Sequence, residues 1–206
     1  MSLSSLYAAM YSNIEAVNID RADVLDEPII QIHNVLTGME NDIQELHAIL
    51  QRYSYSIQDS RFDEVVTVAR EHCLKLNEAA EDLYNAQQAL ARLHEKIMVD
   101  YEDGAADIIA FRKLEFSFPN IAVDASRVMF NKTDMMRVWH ALGVFNGNTK
   151  QRSEELRRIP DNISGWWDQQ KEVFRSILND IADRLIQLMA PFSDYRDHLG
   201  FIIVNL

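Results

Sequence analysis

Apolar residues recur along most of this chain at steps of three and four, and at steps of two only in one short stretch. The clearest run is Ile32, Leu36, Met39, Ile43, Leu46, Leu50, Tyr53 and Ile57, separated by 4, 3, 4, 3, 4, 3 and 4 residues. Such a repeat lines one face of a helix with a continuous apolar seam and predicts a helix over about 27–56. Pro28 suits its first turn and Asp26 its N-cap. Gly38 sits inside this helix at a cost of roughly 1 kcal/mol relative to Ala and leaves room for a neighbouring helix to approach. Gln58, Asp59 and Ser60 then offer capping side chains in a short turn. A second seam, Ala69, Cys73, Leu76, Ala80, Leu83, Gln87, Leu90, His94, Ile97 and Tyr101, predicts a helix over about 61–102. Asp103-Gly104 ends it. A helix of that size is roughly 60 Å long. The short turn forces the two helices to lie antiparallel. No globular core has that length, so part of the hairpin is expected to project or to pair with another subunit.

The flanks are shorter. Leu3, Leu6, Tyr7, Met10, Ile14 and Val17 predict a helix over 3–17. Leu114, Phe116 and Phe118 alternate with polar neighbours, as a strand does, and Phe201 to Leu206 (FIIVNL) is the other β-like segment. The two are expected to pair, or one of them to dock on a partner as an extended arm. A helix over 124–143 is followed by a loop at Gly143, Asn146, Gly147 and Asn148, and by a basic helix over 149–159 that Pro160 stops. The last long helix is expected to run from an N-cap at Ser164 to about Met189, with Pro191 ending it. The pattern as a whole predicts an all-α fold. It is expected to be an elongated helical bundle with a long antiparallel coiled-coil-like hairpin. At most one small two-stranded β element is expected, about 114–118 with 201–206.

Composition supports this. In 206 residues there are only four Pro and six Gly to break helices, and 48% of the chain is hydrophobic. The formal charge is −12, and its distribution is uneven. Residues 1–103 hold 19 acidic and 7 basic residues, a net of −12, whereas residues 104–206 hold 13 of each. The chain therefore reads as an acidic N-terminal hairpin region, 1–103, and a charge-balanced helical region, 104–206, within one continuous folded unit. Such acidity argues against direct nucleic-acid binding. The basic cluster Lys150, Arg152, Arg157 and Arg158 reads first as a solvated face, and second as a surface complementary to the acidic half of another copy. One cysteine, Cys73, excludes an internal disulfide framework. No basic n-region with an apolar h-region opens the chain, and no apolar run is long enough to span a membrane. A cytoplasmic or virion-associated location is expected.

Candidate chemistry is sparse. No Glu stands three residues before any of the six histidines, so the di-iron bundle motif is absent. Gly-rich phosphate loops and the Gly-x-Ser-x-Gly elbow are absent too. Cys73 and His72 are adjacent on a helix and point about 100° apart, so they do not form a nucleophile–base pair. No cofactor, metal or catalytic residue is expected. Polar Gln87 and His94 at seam positions read as half-solvated, or as residues that set register or oligomer state. Trp166 and Trp167 are adjacent on a helix and cannot both face one core, which leaves one for an interface. The candidate interface is therefore Trp166, Trp167, Gln87, His94, the four cations above, and Phe201, Ile202 and Ile203. The reading these residues favour is a non-enzymatic structural or assembly protein that self-associates, such as a viral or phage structural component. The alternative is an acidic inhibitor or adaptor that occupies a basic cleft of a nucleic-acid-handling protein. A third reading is a membrane-active helical protein.

Overall fold

The computed structural model describes residues 22–101, 113–126, 128–165 and 169–206. The helix expected over 3–17, the helix end at Asp103-Gly104, and Trp166 and Trp167 lie outside the described residues, as do the side chains of Tyr101 and Gln170. The fold is all-α, with four long helices and one two-stranded antiparallel sheet. After a 3-10 turn at Ala22–Leu25 come α1 (Asp26–Tyr53), β1 (Ile57–Gln58), α2 (Ser60–Tyr101), β2 (Met129–Phe130), α3 (Lys132–Asn162) and α4 (Gln169–Asn205).

The seams fold as their spacing dictates. Ile32, Leu36, Met39, Ile43, Leu46, Leu50 and Ile57 are all buried, and so are Ala69 to Leu90 of the second seam. Asp59 caps α2, its Oδ1 accepting the Phe62 backbone N–H at 2.6 Å, and Asn131 caps α3 through the Asp134 N–H at 3.1 Å.

Four expectations are corrected. The sheet pairs Ile57 with Phe130 and Gln58 with Met129, not 114–118 with 201–206. Residues 113–124 are extended, and Leu114, Phe116 and Phe118 are buried in alternation, but among the described residues no strand pairs with them. The side chain of Asn77 takes a strand's place: its Nδ2 donates to Phe116 O at 2.8 Å, and its Oδ1 accepts the Phe116 N–H at 2.6 Å. Residues 201–205 are helical, because α4 passes through Pro191. Pro191 has no N–H for the carbonyl four residues earlier, that of Gln187. His72 Nδ1 donates to that carbonyl instead, at 2.9 Å. Finally, α3 is unbroken from Lys132 to Asn162, through Gly143, Gly147 and Pro160. Two helical glycines cost only about 1 kcal/mol each, which tertiary packing offsets. Gly143 also serves a contact: a Cβ there would lie 3.0 Å from Arg196 Nε.

The chain packs as two compact units, each drawn from three stretches. The first comprises Met1–Thr37, Glu78–Leu114 and Ser153–Asp183; the second comprises Gly38–Asn77, Glu115–Arg152 and Arg184–Leu206. Neither coincides with residues 1–103 or 104–206. Both units include parts of all four helices. In the first, Gln87 reaches Ile29 and His94 reaches Asp26, which sets α1 and α2 antiparallel. In the second, an aromatic core joins Phe118 to Phe192 at 6.1 Å and Phe145 to Phe192 at 5.0 Å. Among the described residues the first unit holds 14 acidic and 7 basic residues, a net of −7. The second holds 12 and 10, a net of −2.

Candidate protein interface

Of the residues singled out in the sequence, Gln87 is buried, His94 and Arg152 are partly buried, and Lys150, Arg157, Arg158 and Phe201 are exposed. Gln87 is 2% exposed, and its Nε2 donates to Ile29 O at 3.1 Å. It is satisfied and buried, not half-solvated. His94 Nε2 lies 3.1 Å from Asp26 Oδ1, with the His94 side chain 16% exposed. Three of the four clustered cations have acidic partners. Arg152 Nε donates to the buried Asp42 at 2.6 Å, Arg157 pairs with Asp183, and Arg158 lies 3.8 Å from Glu154 one turn back. Lys150 is exposed. Gly38 admits the guanidinium of Arg152, since a Cβ at that position would overlap it.

Cavities open among the described residues of the second unit. One, of about 270 Å³, is lined by Arg61, Glu64, Val65, Val68, His72, Ala190, Pro191, Asp194 and Tyr195. His72, Tyr195 and Arg61 serve the fold. His72 supports α4 at Gln187. The hydroxyl of Tyr195 faces Asp59 Oδ2 at 3.5 Å, and its ring stacks on Phe62. Burial first, and then the Asp59 carboxylate, hold the Tyr195 hydroxyl far above its ordinary pKa. Arg61 donates to His198 Nδ1 at 3.2 Å. Cys73 lies buried, which pushes its thiol up to about 12 and leaves it a poor nucleophile. The other cavity, of about 260 Å³, is a groove between α1 and α3 floored by Leu46, Ile49, Ala141, Val144 and Phe145. Among the described residues no three His, Cys, Asp or Glu side chains converge as metal ligands, and no helix is long and apolar enough to cross a membrane.

What stands uncovered is one end of the second unit. Ser56 O accepts the Asn131 N–H at 3.2 Å, which joins the α1–α2 turn to the start of α3. Asp59 and Arg61 meet Tyr195 and His198, which brings the end of α4 to the same turn. Gly200 packs on Trp139, where an added Cβ would lie 3.2 Å from Nε1, and Arg196 lies 4.1 Å over the Trp139 ring. Eight of the thirteen exposed large apolar side chains among the described residues belong to these segments: Tyr55, Val128, Met129, Met136, Trp139, Phe201, Val204 and Leu206. Val204 is 83% exposed and Phe201 71%. Ile202 and Ile203 are half-buried. The six-residue stretch FIIVNL announced part of this surface in the sequence. Trp139 and Met136 were missed, because their spacing fits an ordinary core stripe and only the packing of α4 shows which of them face outward.

The arrangement is a helical protein with exposed apolar side chains gathered at one end of its second unit. No family model, curated protein or solved structure matches the chain.

Proposed function

We propose that this protein is a non-enzymatic assembly component that works by protein–protein contact and self-association. The observation that supports this most is the gathering of exposed apolar side chains at one end of the second unit. Large contiguous apolar patches on folded proteins mark contact surfaces. The near-neutral charge of that unit's described residues favours contact between identical copies, whereas the −7 of the first unit's described residues opposes it. Either a cytoplasmic or a virion-associated assembly suits this reading.

Mass measurement by light scattering across protein concentration tests it. The expected result is a mass that rises with concentration, and a Phe201→Ser variant whose mass stays that of one chain. A wild-type protein that stays monomeric throughout overturns the reading. The acid excess of the first unit supports a second reading, an inhibitor or adaptor for a basic protein surface. A discrete monomer that binds a basic partner, and releases it as salt is raised, favours that alternative.

A further inference from the structure

We propose that the cleft between α2 and α4 in the second unit binds a free α-amino acid with an aliphatic side chain. This goes beyond self-association and does not depend on it. The fold itself holds the cleft open. Arg61 donates to His198 Nδ1 at one end, and His72 Nδ1 donates to Gln187 O at the other. The two helices therefore run antiparallel and are cross-linked on both sides of the opening. Arg61 and His72 stand roughly 16 Å apart along α2. Between them the facing side chains are short: Val65 and Val68 on α2, Ala190 and Pro191 on α4. Such side chains do not fill the space between the helices, and about 270 Å³ stays open. At the roughly 30 Å³ that a molecule of liquid water occupies, this holds about nine non-hydrogen atoms. Leucine is of that size.

The charges around the cleft are of both signs. Glu64 and Asp194 are exposed, and among the described residues neither has an ion-pair or hydrogen-bond partner. The register fixed by the two cross-links sets Glu64 level with Tyr195 and Val65 level with Asp194. The two carboxylates thus stand on opposite rims of one opening. Arg61, one turn before Glu64, is the cation within reach, but its Nη1 is engaged by His198. The other N–H groups of the guanidinium are left as donors.

A simple amine suits the two acids and is repelled by Arg61. A simple carboxylate suits Arg61 and is repelled by Glu64 and Asp194. An amino acid carries both charges on neighbouring atoms and matches both. Its ammonium donates to Glu64 and Asp194, and its carboxylate accepts from Arg61. Its side chain then lies against Val65, Val68 and Pro191, where an apolar surface is available. A peptide bond removes one of the two charges, so a free amino acid fits better than a chain terminus. The rim charges face water, so each contact is worth little and binding is weak.

Titration of the full-length, 15N-labelled protein with L-leucine, followed by two-dimensional NMR, tests this. Saturable shifts confined to residues 61–72 and 187–198 are expected. 4-Methylpentanoate lacks the ammonium and 3-methylbutylamine lacks the carboxylate; each is expected to bind about five- to tenfold more weakly than leucine. Asp194→Asn, at an exposed position, is expected to weaken leucine but not 4-methylpentanoate, which has no ammonium for Asp194 to hold. A merely structural role for Asp194 would weaken both alike. Glu64→Gln serves as a second variant with the same expectation. Val68→Phe, which fills the cleft from a half-buried position, is expected to abolish binding of all three, and its own spectrum shows whether the fold is kept. Shifts that never saturate, or that map to other residues, overturn the proposal. So does either analogue binding as tightly as leucine, or equal weakening of leucine and 4-methylpentanoate in both rim variants.

Discussion

At the residue scale, polar side chains at apolar positions are the informative ones. Gln87 looks like a flaw in a seam, but its amide donates to Ile29 O in the first turns of α1. Asn77 closes two hydrogen bonds on the backbone of Phe116 and so replaces a missing strand. Cys73 and Tyr195 are buried acids whose fold favours the neutral form. Their folded pKa values lie above the unfolded ones, so the unfolded chain loses these protons first as the pH rises. For Cys73 the stabilisation is complete below the ordinary thiol value of 9.0 and is lost as the pH rises from there toward about 12. Urea unfolding at rising alkaline pH is therefore expected to show stability level up to pH 9 and falling beyond it. The double variant Cys73→Ala, Tyr195→Phe should flatten that fall. A slope that is unchanged in the variant would assign the loss to other groups.

At the element scale, helices continue where sequence punctuation says stop, and each has a partner that permits it. Pro191 leaves the Gln187 carbonyl without its helical donor, and His72 supplies one from α2. This makes the two residues energetically dependent. His72→Leu should cost about 1 kcal/mol with Pro191 present. It should cost much less in a Pro191→Ala background, where the backbone N–H of Ala serves the same carbonyl. A double-mutant cycle by chemical denaturation measures the coupling; additive costs would show that His72 acts elsewhere. The same logic explains the segment 113–124. Its alternating pattern promised a strand, and its alternating burial is real. A strand needs a neighbour with free backbone groups, however, and here side chains provide the hydrogen bonds: Asn77 on Phe116, and His47 Nε2 2.9 Å from Pro119 O.

At the scale of the whole molecule, charge and apolar exposure are distributed differently. The chain carries −12, and among its described residues the first unit holds −7 against −2 for the second. Under the proposed self-association, copies that meet through the second unit would still repel through their net charge. Raising ionic strength shortens the screening length to about 3 Å at 1 M, so salt should strengthen self-association. Sedimentation velocity at low and high salt checks this. Dissociation by salt would mean that ion pairs dominate the contact instead of Phe201, Val204 and their neighbours.

The helical hairpin was legible in the sequence because its signal is local: steps of three and four over seven positions of α1 and most of α2 leave one face to bury. The cap at Asp59, the antiparallel course of α1 and α2, and the all-α class follow from the same short-range physics. Continuity of α3 and α4 was not legible, because Gly143 and Pro191 carry local penalties that only distant partners offset, Arg196 in one case and His72 in the other. The sheet was misplaced for a related reason. Two residues, Ile57 and Gln58, are too few to show alternation, and their pairing with Phe130 and Met129 depends on where α2 and α3 begin. The exposed apolar end of the second unit is divided in the same way. The apolarity of Phe201–Leu206 is a property of the sequence, whereas its exposure beside Trp139 and Met136 was decided by tertiary structure, because the face of α3 that turns outward depends on the packing of α4.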